Sequence, residues 1–108
     1  PPPPPPPPPP RVVEPAKARA NLQGLITADD YPAAAMRNEE TGTVGVRLAI
    51  GTDGRVTGCT VSSSSGSSSL DSTTCRLLQR RARFTPARDN RGQPIADTHN
   101  QRITWRLE

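Results

Sequence analysis

Apolar positions along this chain change their spacing from one segment to the next. Val44, Val46, Leu48 and Ile50 alternate with Gly45, Arg47 and Ala49, the period of a strand with one buried face. Thr52, Asp53 and Gly54 follow as a turn signal of the Asp-Gly type. The return strand is predicted over 55–61, where the alternation slips. Val56, Cys59 and Val61 share a face only if a bulge near Gly58 absorbs a residue. From Leu70 the period becomes helical, with Thr74, Cys75, Leu77, Leu78 and Ala82 following at spacings that keep one apolar face. Phe84 ends that helix and Pro86 forbids its continuation. At the C-terminus Ile103, Trp105 and Leu107 alternate with Arg102, Thr104 and Arg106, which predicts a last strand over 101–108.

Residues 16–26 suggest a loose helix broken by Gly24, with Leu22, Leu25 and Ile26 along its apolar edge. A firmer helix starts at Asp30 or Tyr31, with Pro32 in the first turn, Ala33, Ala34, Ala35 and Met36 propagating it and 38–42 stopping it. Residues 62–69 are serine-rich and read as a flexible loop, with Ser68 or Ser69 available to cap the following helix. Residues 89–92 make a turn, and Pro94 reduces 93–96 to an edge or loop. The order is helix, strand, strand, helix, strand. It predicts an α+β fold: a three-stranded antiparallel sheet in the order 2-1-3, counting the three long strands, with two helices packed on one face. A proline-rich linker and flexible lead-in over 1–28 would precede a domain over 29–108.

Composition narrows the function. The chain has 108 residues, 14 of them proline, and a net charge of +4. Residues 1–10 are all proline, a left-handed extended spacer of about 30 Å at roughly 3.1 Å per residue. No apolar run is long enough to span a bilayer. The chain opens on proline rather than methionine, as the tail of a longer protein would. Its cations do not gather: Arg76, Arg80 and Arg83 fall on one helix face, which serves an acidic partner or is simply a solvated face. Tyr31, Phe84 and Trp105 are scattered through apolar patterns and offer no stacking platform, so nucleic acid is not an expected partner.

Catalytic and metal chemistry find no constellation. Asp29 and Asp30 lack an accompanying histidine or nucleophile. The serine run contains no nucleophile elbow, and His99, just before the last strand and expected to be exposed, has no acid beside it. Two cysteines and one histidine do not make a zinc site, and no cofactor is implied. In an oxidising compartment Cys59 and Cys75 would form a disulfide from the sheet to the helix; otherwise they are two separate thiols.

The ordered series Tyr31-Pro32, Gly42-Thr43-Val44, Asp53-Gly54-Arg55-Val56, Ser64-Ser65-Gly66, Leu70-Asp71, Arg83-Phe84 and Pro86 resembles the C-terminal domain of TonB energy transducers over about 29–108. Such proteins carry a proline-rich arm between an inner-membrane anchor and this domain. The resemblance implies a periplasmic domain, tethered to the inner membrane and associated with an ExbB–ExbD motor through parts outside this sequence. It implies binding of the TonB box of outer-membrane transporters by strand addition, coupling proton motive force to uptake of siderophores, vitamins or similar cargo. The expected docking edge is the last strand, Gln101, Arg102, Ile103, Thr104, Trp105 and Arg106, whose main chain would pair with the incoming segment. The segment Asp30, Tyr31 and Pro32 corresponds to one that touches the transporter, although Ala28-Asp29-Asp30 replaces the family's upstream Gln-Pro. The alternative is a TolA-like adapter, or a TonB paralogue, binding another cell-envelope protein. Free strand edges also leave homodimer formation open.

Overall fold

A computed structural model describes residues 1–6 and 11–107. The polyproline reading at 7–10 and the strand end at Glu108 lie outside the described residues. The elements are β1 (Lys17–Ala18), α1 (Ala33–Arg37), β2 (Gly42–Ile50), β3 (Val56–Ser63), α2 (Ser68–Arg81), β4 (Phe84–Thr85), β5 (Ala87–Arg88), β6 (Pro94–Ile95) and β7 (Asp97–Trp105), with single 3-10 turns at Gln23–Leu25 and Ala28–Asp30. Among the described residues no helix is long and apolar enough to cross a membrane.

The alternating apolar run becomes β2, the centre of an antiparallel sheet ordered β3-β2-β7. Val44, Val46, Leu48 and Ile50 are all buried, while Arg47 between them is exposed. Against β7 the register runs without a break from Gly42 opposite Trp105 to Ile50 opposite Asp97. Against β3 it slips: Ile50 faces Val56 and Ala49 faces Gly58, so Thr57 is the extra residue. That insertion turns Cys59 to the covered face, opposite Leu48. Val61 lies opposite Val46 but stays 37% exposed at the sheet's margin.

Helix α2 lies against β2 and β3. Leu70, Thr73, Thr74, Leu77 and Leu78 form its buried face. Its N-cap is Ser67, one residue before the predicted caps, whose Oγ accepts the Leu70 N–H at 3.2 Å. The serine-rich stretch is tied down rather than loose, because Asp71 Oδ1 accepts the Ser65 N–H at 3.0 Å and the Ser65 hydroxyl at 2.8 Å. Burial disfavours the charged form of Asp71, but these bonds and one from Ser64 outweigh it and hold the carboxyl below its ordinary range. Cys59 and Cys75 are joined in a disulfide, Cα to Cα 5.6 Å, which fastens β3 to α2.

Residues 16–26 hold no α-helix, only the 3-10 turn at Gln23–Leu25. β1 pairs with β4, and Arg19 N–H donates to the Arg83 carbonyl at 2.9 Å. Pro15 and Gly24 weaken a helix here, and the chain leaving α2 offers main-chain partners instead. The expected lead-in therefore joins the packed body, with Ala16 and Leu22 in the core. Helix α1 has five residues, and Pro32 is its N-cap rather than part of its first turn. β7 starts earlier than predicted and stops at Trp105, leaving Arg106 and Leu107 beyond it. Its first half has no apolar alternation to read, since His99 fills the inward position and packs edge-on against Phe84, ring centroids 5.1 Å apart. His99 is accordingly half-buried, not exposed.

Gly54 sits where the hairpin turn meets the chain leaving α2. Its φ is +83°, and a Cβ there would lie 2.0 Å from the Phe84 carbonyl oxygen. In return the Gly54 carbonyl accepts the Phe84 N–H at 2.9 Å. Only glycine satisfies both the backbone angle and the approach.

Candidate functional site

β7 forms one margin of the central sheet, and no strand pairs with its outer side among the described residues. Main-chain groups on an edge strand point alternately toward the neighbour and away from it. Thr104 fixes the phase, because both its N–H and its carbonyl bond to a group outside the sheet, the side chain of Gln23. With the register unbroken, Arg102, Asn100 and Thr98 also direct their main-chain groups outward. All three residues are exposed. The Arg102 carbonyl takes a bond from Gln101 Nε2 at 3.0 Å.

Below the C-terminal half of β7 the aromatic residues set the scaffold. Trp105 is 3% exposed and meets Tyr31 edge to face, centroids 5.2 Å apart. Its indole N–H donates to Thr74 Oγ1 at 2.8 Å, and Thr74 in turn donates to the Leu70 carbonyl at 2.7 Å. The Tyr31 hydroxyl donates to the Glu40 carbonyl. Burial, and then the nearby Glu40 charge, push the Tyr31 phenol above its usual pKa. Ile103 is fully buried on the same face. On the opposite face Thr43 and Thr104 hydroxyls meet at 3.1 Å.

Beside this end of β7 opens a groove of about 1040 Å³. Ile26, Met36 and Leu107 give it apolar wall, while Gln23, Glu39 and Arg106 give it polar rim. Tyr31, Thr104 and Trp105 also line it. Met36, the one large apolar side chain on α1, is 49% exposed.

The segment leading into the groove is held from α2. Arg81 makes a two-pronged pair with Asp30, Nη1 to Oδ2 at 2.7 Å and Nη2 to Oδ1 at 2.8 Å, and Nη1 also donates to the Leu25 carbonyl at 2.9 Å. Asp30 accepts the Thr27 N–H as well, at 2.8 Å. The Arg81 bond, then the Thr27 N–H, hold the Asp30 carboxyl far below the ordinary carboxylate range.

The residues singled out by sequence thus divide. Thr104, Trp105, Arg106 and Tyr31 converge on the groove. Gln101, Arg102 and Ile103 lie along the strand but away from it. Asp30 is engaged by Arg81, and Pro32 is the half-buried cap of α1. Sequence reasoning missed Gln23, Asn100 and Thr98. A glutamine in a segment without period carries no signal, and polar strand residues read as loop.

An α+β domain with a bare strand margin and an adjoining groove belongs to the class of modules that can present an edge to an extended segment. Residues 27–107 match the family described as Gram-negative bacterial TonB protein C-terminal, and the chain belongs to that family. Among curated proteins none matches the chain.

Proposed function

We propose that this domain works in the periplasm as the receptor-binding end of a TonB-type energy transducer. It takes up the TonB box of an outer-membrane transporter as an added strand along β7. An N-terminal part outside this sequence would tether it to the inner membrane and to an ExbB–ExbD-type motor. The proline tract would act as the spacer between them, and proton motive force would thereby drive uptake of a siderophore, vitamin or similar cargo.

One observation carries the reading: Thr98, Asn100 and Arg102 present outward main-chain groups on an exposed edge with which no strand pairs among the described residues. Such an edge binds a strand through backbone hydrogen bonds and asks little of its side chains. One domain can then serve several transporters. The exposed cations Arg102 and Arg106 favour acidic residues on the partner. Family membership supports a binding role without catalysis.

The test is a titration of isotope-labelled protein with a synthetic TonB-box peptide, followed by backbone amide shifts and exchange. Strand addition predicts shifts concentrated in 98–104, with slowed exchange at Asn100 and Arg102. A folded, disulfide-bonded domain that shows no response at millimolar peptide would exclude this reading in favour of a TolA-like adapter.

A further inference from the structure

The carboxamide of Gln23 does to Thr104 what a neighbouring strand would do. Its Oε1 accepts the Thr104 N–H at 2.8 Å, and its Nε2 donates to the Thr104 carbonyl at 3.1 Å. A primary amide presents one donor and one acceptor side by side, the same pair that a peptide unit offers across a ladder. Both outward main-chain groups of Thr104 are therefore satisfied, at the one place on the edge where the groove begins.

The far end of the strand is tied to the same segment. The Ala16 N–H donates to Asp97 Oδ2 at 3.0 Å. Residues 16–23 are thus fastened near both ends of β7, and between the ties Thr98, Asn100 and Arg102 remain exposed. The tie at Thr104 is the one that occupies main-chain groups; the tie at Asp97 uses only its side chain.

From this geometry we infer that Gln23 is an internal stand-in for the partner strand, which an incoming extended peptide must displace from Thr104 to complete its pairing and reach the groove. The inference rests on strand addition at β7 and deepens it. Pairing begins at Asn100 and Arg102, where among the described residues only the Gln101 side chain on the Arg102 carbonyl competes, and then extends toward Thr104 as the Gln23 side chain swings away. In the free protein the carboxamide closes the end of the edge and blunts pairing between two copies of the domain. In the complex, the energy of two hydrogen bonds is given up and regained, so displacement lowers affinity without forbidding binding. Gln23 sits in a single 3-10 turn, half-buried, and its backbone does not have to move for its side chain to leave.

The experiment compares wild type, Gln23→Ala and Gln23→Glu, in amide exchange of the free protein and in titration with the same TonB-box peptide. Glutamate keeps the acceptor for the Thr104 N–H but loses the donor to its carbonyl at neutral pH. Thr104 amide exchange should speed up about twofold to tenfold in Gln23→Ala, since a net hydrogen bond contributes about 0.5–1.5 kcal/mol. Peptide affinity should rise about threefold to tenfold in Gln23→Ala on the same basis. Gln23→Glu should fall between the other two in exchange, which also guards against a folding artefact in the alanine variant. Unchanged Thr104 exchange in both variants would overturn the latch itself. Faster exchange with weaker peptide binding would overturn the competition, because Gln23 would then be contacting the partner. Faster exchange with no peptide response anywhere on β7 in any of the three proteins would remove strand addition, and displacement with it, while leaving the free-state latch standing.

Discussion

The indole N–H of Trp105 donates to the hydroxyl of Thr74 across 2.8 Å, wholly inside the protein. This bond joins the end of β7 to the middle of α2 and fixes the ring that floors the groove. Thr74→Val keeps the shape and removes the acceptor, leaving a buried N–H without a partner. The expected loss is about 1–3 kcal/mol of unfolding free energy, measured by urea denaturation, with Thr74→Ser close to wild type. A Thr74→Val protein as stable as wild type would mean the indole finds another acceptor.

Reducing the Cys59–Cys75 disulfide should cost roughly 3 kcal/mol, the loop-entropy value for a loop of this size. The measurement is the denaturation midpoint with and without reductant, with Cys59→Ala/Cys75→Ala insensitive to it. So large a fraction of a small domain's stability makes the reduced protein a poor candidate for assays at elevated temperature.

Gly54→Ala should destabilise by more than about 2 kcal/mol, combining the left-handed backbone penalty of about 1–2 kcal/mol with a collision against the Phe84 carbonyl. Gly66, also at positive φ but with open space around it, is the internal control. Gly66→Ala should show the backbone penalty alone, so the difference between the two melting temperatures isolates the collision.

Asp30 gives the pH dependence. Its folded pKa is depressed, so its contribution is fully present above the unfolded carboxylate value near about 3.9 and is lost as pH falls below it toward the folded value. Arg81 is 40% exposed, so water screens the pair and the effect is modest. Stability measured from pH about 5 down to about 2 should fall less steeply in Asp30→Asn than in wild type, the two curves converging at the acid end. Parallel curves would assign the acid sensitivity to other carboxylates such as Asp71.

Asn100→Pro tests the edge directly. Its N–H points away from β2, so proline removes a group that only a partner strand uses. The domain should stay folded by circular dichroism, while peptide affinity drops at least about tenfold.

Much of this was legible in the residues. The period-two run of β2 and the helical period of α2 each bury one face of a regular element, and burial writes itself into spacing. The slip between Val56 and Cys59 correctly implied an extra residue, which proved to be Thr57. β1 and β4 were not legible, because two-residue strands have no period and exist only through each other's main chain. The first half of β7 stayed hidden for a related reason: a histidine does the work of an apolar residue against Phe84. Within the site, Trp105 stood out through the alternation of the last strand, and Tyr31 through the Tyr31-Pro32 pair of the family resemblance. Gln23 could not, since its role depends on a contact 81 residues away.

The disulfide closes a covalent ring through β3 and α2 and leaves β7 outside it. β7 is held by its unbroken antiparallel register with β2, from Gly42–Trp105 to Ile50–Asp97. A segment laid along β7 and pulled lengthwise would strain that register in shear, so that its hydrogen bonds resist together instead of parting one by one like a zipper. Tension would spread across the whole width of the sheet before any single bond bore it alone.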